Sequence, residues 1–314
     1  MRVAALAGGV GGAKLVDGLA VHLPPEELSV IVNTGDDFDY LGLQISPDLD
    51  TVCYTLAGLA NPATGWGQRD ESWQTFETLS ALGGLDWFRL GDRDLATHLY
   101  RTEALKKGQS LSLVTRDLCH KWGIKHPVYP MSDDPVRTIV NTQQGEALGF
   151  QEYFVHRACQ PAVTGFEFRG AGTARPVPEA LEAIRNADLV ILTPSNPWVS
   201  IGPILALPGV LAVIRQKPVI AVSPIVDGKA LKGPAAKMYH ELGIAPSAAA
   251  VAAHYREFLT GFVLDAVDAA ELDKIRQWRI IPLATDIIMK DRPDRARLAR
   301  EVLDFGETVL NRSQ

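Results

Sequence analysis

Cysteine is scarce: Cys53, Cys119 and Cys159 are the only three, odd in number and without a CxxC spacing, so neither a disulfide framework nor a thiolate zinc site is expected. They read as reduced thiols, buried or half-buried. An excess of basic charge is also lacking. A formal charge of −6 and a pI near 5.7 offer no broad cationic surface for a phosphate backbone, which argues against nucleic acid as a partner. Long apolar runs are missing too. The first apolar stretch ends at glycines after residue 7, and those at 205–214 and 219–225 are broken or bordered by Pro208, Gly209 and Pro218, too short for a signal peptide or a membrane span. A cytoplasmic protein without a membrane partner is expected. There is no internal repeat and no low-complexity tract.

What is present describes a folded chain. Its 314 residues are 46% hydrophobic and 22% charged, enough for one large domain or two smaller ones. Residues 3–7 read as a buried parallel strand, 8–12 as a glycine turn, 13–22 as an apolar helix and 28–32 as a second strand, the order of a βαβ unit with its ligand side at the carboxyl ends of the strands. Helical spacing follows at 50–59, 72–82, 94–107 and 111–122. The β-branched and aromatic runs at 138–140 and 149–155 suggest antiparallel strands. An α/β rhythm returns with a helix at 178–186, strands at 189–193 and 219–222, helices at 204–207 and 247–259, a strand at 279–283 and a last helix at 294–311. The expected fold class is therefore α/β, a Rossmann-like three-layer parallel sheet. Its nucleotide-binding core comes from residues 1–50 and 170–314, with a mixed helical and antiparallel insertion over 51–169.

Chemistry is concentrated near the N-terminus. Gly8-Gly9-Val10-Gly11-Gly12-Ala13-Lys14 stands at a strand-to-helix turn, where backbone N–H groups can approach a phosphate. The run departs from both standard nucleotide fingerprints, because Lys14 replaces the third glycine of a dinucleotide motif and no Gly-Lys-Ser/Thr ending completes a P-loop. Behind it lie Asn33-Thr34-Gly35-Asp36-Asp37 and Ser46-Pro47-Asp48-Leu49-Asp50-Thr51. Four carboxylates this close repel unless cations or donors compensate them, which suggests a divalent metal held against a phosphate. For Asp48 and Asp50 the competing role is a cap on the helix that follows.

Three further segments carry candidate groups. In 87–102, Arg89 and Arg93 form an electropositive patch, Asp94 is an N-cap or first-turn acid, and His98 and Arg101 lie on neighbouring turns. A surface salt-bridge network is the plainer account of those residues. Thr193-Pro194-Ser195-Asn196-Pro197 follows a buried strand and reads as a nucleotide-contacting loop, against a plain connection. Gly228-Lys229 with Gly233 makes a second such loop, in which Lys229 offers a point charge to phosphate.

Taken together these segments resemble the 2-phospho-L-lactate transferase (CofD-like) family of coenzyme F-420 biosynthesis. The likeness runs through GGVGGAKL at 8–15, NTGDD at 33–37, SPDLDT at 46–51, GWGQRDESW at 65–73, LGDRDLATHL at 90–99, SDD at 132–134, FQEYFV at 150–155 and PSNPWVSIGPIL at 194–205. It implies Mg²⁺-assisted transfer of a phospholactyl or phosphoenolpyruvyl group from a guanosine diphosphate-linked donor to the ribityl hydroxyl of the deazaflavin Fo, with release of GMP. It further implies metal and catalytic roles among Asp36, Asp37 and Asp50 and Fo contacts at Asp50 and Arg89. It implies nucleotide contacts at the glycine turn, Gly9, Gly11, Gly12 and Lys14, and at Ser195 and Asn196, to which the reading of the residues adds Lys229, and a homodimer is the assembly it favours. A related family of nucleotide-sugar-binding regulatory proteins shares the glycine turn and the acidic loop, while LGDRDLATHL and FQEYFV point to the enzyme. A dinucleotide-dependent reductase is disfavoured by Lys14 and by Asn33, where an acidic ribose ligand would be expected.

Overall fold

A computed structural model describes residues 1–313. Two strands open the chain, β1 (Val3–Ala7) and β2 (Leu28–Val32), separated by helix α1 (Gly9–His22). A small antiparallel hairpin follows, β3 (Phe38–Tyr40) and β4 (Leu43–Ile45), and then four helices, α2 (Pro47–Leu56), α3 (Gln74–Ala81), α4 (Asp92–Lys106) and α5 (Leu111–Lys121). Next come β5 (Val128–Pro130) and an antiparallel trio, β6 (Arg137–Thr142), β7 (Ala147–Gly149) and β8 (Val163–Arg169), in the order β7-β6-β8. The remainder carries α6 (Pro178–Asn186), β9 (Leu189–Leu192), β10 (Val219–Val222), the short pair β11 (Ile225–Val226) and β12 (Lys229–Ala230), β13 (Gly261–Asp265), β14 (Ile281–Thr285) and the C-terminal helix Arg292–Ser313.

Seven strands form one sheet in the order β14-β13-β10-β9-β1-β2-β5, every neighbouring pair parallel. Alternate residues of β1 face opposite cores. Val3, Ala5 and Ala7 pack with α1, α2 and the C-terminal helix, whereas Ala4 and Leu6 pack with α6 and the helices after β9. Burial on both faces explains why the strands read as unbroken apolar runs. The expected three-layer α/β arrangement with small antiparallel sheets is the one observed. Its edge strand β5 comes from within the 51–169 stretch.

The chain moves outward from β1 through β2 to β5, then crosses back to β9 on the other side of β1. Such a reversal leaves a crevice at the carboxyl ends of β1 and β9, where open α/β sheets take their ligands. Among the described residues no helix is long and apolar enough to cross a membrane.

Local corrections matter for the site. Helix α1 begins at Gly9, so the glycines expected to form a turn make up its first turn instead. Helix α2 begins at Pro47 rather than residue 50, since proline's fixed φ suits a first helical position. The 149–155 run is not an extended strand: β7 ends at Gly149 and Glu152–His156 is a π-helical turn. Phe150 and Phe154, four apart, stack at 5.5 Å between centroids, and that pairing needs helical spacing.

Candidate active site

A cavity of about 530 Å³ occupies the crevice. One end is acidic, lined by Asp36, Asp48 and Asp50, and the other is aromatic, lined by Trp87, Phe88, Phe150 and Phe154. The β3–β4 hairpin backs the aromatic wall, with Phe38 against Phe88 at 4.9 Å and Tyr40 against Trp87 at 5.1 Å. A larger groove of about 820 Å³ lies against β14 and the C-terminal helix and contains none of the sequence's candidate residues.

Asn33 is the hub of the acidic end. Fully buried, it donates through Nδ2 to Asp36 Oδ1 and Asp48 Oδ2, both at 2.9 Å, and its Oδ1 accepts from the Gly35 N–H at 2.8 Å. Asp36 accepts a further bond from Gln151 Nε2 at 3.0 Å. Asp37 sits behind the cavity wall, where Oδ2 accepts from Ser46 Oγ at 2.7 Å and Oδ1 is buried without a partner among the described residues. Burial is the main cause that raises the pKa of all three acids. It lifts Asp36 well above the usual carboxylate value, with Asp48 and Asp37 adding repulsion. Asp37 is raised to about 7 by burial, against the opposing Ser46 bond, and Asp48 to about 6 against the bonds from Asn33 and Gly9. Fully ionised, the cluster would carry more negative charge than its donors compensate, and the acids therefore hold their protons more tightly than free carboxylates do.

Asp48 does act as a cap, but on another helix. Its Oδ1 accepts the Gly9 N–H at 2.7 Å, so a carboxylate from α2 closes the N-terminus of α1. Of the three glycines expected at a nucleotide, only Gly9 lines the cavity. Gly11 faces the Pro194 carbonyl, into which a Cβ would run, and a Cβ at Gly12 would lie 2.6 Å from Ser195 Oγ. These two glycines allow α1 to approach the loop after β9. Ser195 belongs to the same contact: its Oγ donates to the Gly8 carbonyl at 2.7 Å and accepts the Gly8 N–H at 3.1 Å. Asn196 does line the cavity and accepts from Trp198 N–H at 3.0 Å.

The two expected phosphate lysines lie outside the lining. Lys14 donates to the Met289 carbonyl at 2.6 Å, and Lys229 is exposed beside Asp227 at 3.4 Å. Arg89 lines the cavity, its guanidinium 4.5 Å from the Trp73 ring centroid and 5.7 Å from that of Phe76.

Helix α4 carries the other ionisable group of the site. Glu71 caps its N-terminus, accepting from the N–H groups of Arg93 and Asp94 at 2.8 and 2.9 Å. Asp94, His98 and Arg101 recur at helical spacing and are all buried, so a surface salt-bridge network is excluded for His98 and Arg101. Arg101 binds both oxygens of Asp50, with NH1 at 3.1 Å from Oδ2. Burial lowers the guanidinium pKa, yet Asp50 more than offsets it and the net direction is upward. Arg101 NH1 also lies 3.2 Å from His98 Nδ1. A guanidinium only donates, so Nδ1 accepts, and Nε2 faces Asp94 Oδ1 at 3.5 Å. Tyr54 donates to that oxygen at 2.7 Å. Burial pushes Asp94 up, but the His98 contact and the Tyr54 bond prevail and hold it low. One ligand atom from each of Asp50, Asp94 and His98 lies within 4.8 Å of the others, a grouping able to hold a metal ion.

Sequence reasoning did not foresee Asn33 as a hub, Gln151 as a donor or Arg101 as the partner of Asp50. Only Arg101 had a readable signal, its three- and seven-residue spacing from His98 and Asp94.

Comparison with known proteins bears on this geometry. A sequence profile described as "2-phospho-L-lactate transferase CofD" matches residues 3–302. A phosphoenolpyruvate transferase of Streptomyces griseus is 43% identical over 98% of this chain and 99% of its own length. A 2-phospho-L-lactate transferase of Methanopyrus kandleri is 40% identical over 99% of each. In fold alone, a crystal structure of a Bacillus halodurans protein of the UPF0052 family is similar, with a TM-score of 0.62 at 15% identity over 96% of this chain and 98% of that one. The match across nearly the whole length, together with these identities, shows that the chain belongs to the 2-phospho-L-lactate transferase CofD family of transferases.

Proposed function

We propose that the protein transfers a phospholactyl or phosphoenolpyruvyl group from a guanosine diphosphate-linked donor to the ribityl hydroxyl of Fo, releasing GMP, as a step of coenzyme F-420 biosynthesis. The observation that carries this reading is a single cavity that joins an aromatic wall to a buried carboxylate cluster. A flat deazaflavin ring suits Trp87, Phe88 and the Phe150–Phe154 stack, with Arg89 at their edge. The polar ribityl chain then runs toward Asp50, and the diphosphate lies between Asp36 and the loop holding Asn196.

Mg²⁺ fits the acidic end. Its buried acids Asp36 and Asp48 have raised pKa values, and every ligand atom they offer is a hard oxygen. Asp36 and Asp48 would hold the ion from the cavity side, Asp37 lying outside the lining, and the ion would neutralise the charge that builds on the departing GMP phosphate. Asp50 serves the acceptor instead. Both of its oxygens are already fixed by Arg101, so it is held in place to accept a hydrogen bond from the attacking hydroxyl and orient it as the new O–P bond forms and the bond from phosphorus to the GMP phosphate oxygen breaks. Phosphoryl transfer passes through a loose transition state in most analyses and asks more for alignment than for a strong base.

Melting temperature in the presence of ligands tests the reading, because only what binds the native state raises it. Fo and GDP are expected to raise it and NADPH to leave it unchanged. A rise with a nucleotide sugar and none with Fo would favour the regulatory-protein alternative.

A further inference from the structure

We infer that Lys232 holds the diphosphate of the nucleotide, an assignment that rests on the proposed function and adds a binding residue to it. A nucleoside diphosphate needs fixed positive charge, and the first turn of a helix is its usual source. Here Asp48 already takes the Gly9 N–H, and Asp36 adds a further carboxylate to the same cavity. A cationic side chain must therefore meet the phosphates alongside any metal ion.

The cavity lining includes three groups able to carry positive charge: Arg89, His98 and Lys232. Arg89 is stacked over Trp73 on the aromatic side. His98 is buried, and its ring is already engaged by Arg101 at 3.2 Å and by Asp94 and Asp50 at 3.5 and 3.6 Å. Lys232 remains. Its Nζ donates to the Thr64 carbonyl at 2.6 Å, and it has no carboxylate within ion-pair distance among the described residues. A neutral carbonyl uses one of its three N–H donors and leaves the charge unmatched. The position of the ammonium is also favourable: a Cβ built on Gly65 would lie 2.6 Å from Val10 Cγ1 and 3.2 Å from Lys232 Nζ, which puts the lysine tip beside the first turn of α1.

Calorimetric titration of GDP in Mg²⁺ buffer tests the assignment, using wild-type protein, Lys232→Ala, Lys232→Arg and Lys229→Ala. Loss of a charge-assisted bond predicts ~10-fold or weaker GDP binding in Lys232→Ala, while Lys232→Arg stays within ~3-fold because the charge is kept. Lys229→Ala is expected to match wild type, since that lysine lies outside the lining. Melting temperatures without ligand should be unchanged, Lys232 being exposed. Wild-type affinity in Lys232→Ala overturns the assignment alone. Equal losses in Lys232→Ala and Lys232→Arg with lowered melting temperatures would mean a structural role and overturn it too. Failure of the wild-type protein to bind GDP removes the proposed function and this assignment together.

Discussion

The Asp50–Arg101 pair decides what substitution at either residue can reveal. Both side chains are almost fully buried, at 7% and 3% exposure, so removing one leaves the other charged and unmatched in a dry site. Arg101→Gln or Asp50→Ala is expected to cost ~3–5 kcal/mol of folding stability, read from the denaturant midpoint. Replacing both, as Asp50→Leu with Arg101→Met, should recover most of that loss yet leave no turnover. A double variant as unstable as the singles would contradict the pairing. Asp36→Asn keeps the shape and removes the charge, and is expected to lower kcat by ~10²-fold or more if Asp36 holds a metal in the transition state. Unchanged kinetics in a folded Asp36→Asn protein would remove it from the site.

At the level of elements, α1 meets the loop after β9 through Gly11 and Gly12. Gly11→Val should therefore destabilise the fold by ~1–3 kcal/mol through overpacking against the Pro194 carbonyl, measurable as a lowered melting temperature. Wild-type stability in that variant would show that the loop yields. Strong apolar periodicity made β1, β2, α6 and β10 legible to their end residues, and the acidic block was readable because carboxylates so close together in sequence demand compensation. Other features depended on partners distant in sequence. Asp48 caps α1 from α2, 39 residues away, and nothing around Gly9 announces that. Arg101 is read as a surface cation until α4 packs it against Asp50, 51 residues earlier. The 150–155 run has the β-branched and aromatic composition of a strand, and the stacking of Phe150 on Phe154 together with the Gln151–Asp36 bond overrides it.

For the whole molecule, the buried acids give stability an unusual pH dependence. Asp37 and Asp48 have folded pKa values raised to about 7 and about 6, and Asp36 shifts the same way. The folded state thus binds protons that the unfolded chain has released above its ordinary carboxylate range, and stability falls as pH rises through the folded values. Asp94, shifted downward, acts with the opposite sign at lower pH. In chelator the melting temperature should drop between about pH 5 and about pH 8, and Mg²⁺ added at the upper end should restore it. A flat profile, or no response to Mg²⁺, would contradict the charged-cluster account. The central claim, group transfer onto a hydroxyl held at Asp50, is tested most directly by mass spectrometry of Fo incubated with Mg²⁺ and each synthetic donor. The account predicts Fo heavier by the phospholactyl or phosphoenolpyruvyl group, with one GMP per adduct. Unmodified Fo with every donor, from a protein that binds both ligands, would contradict it.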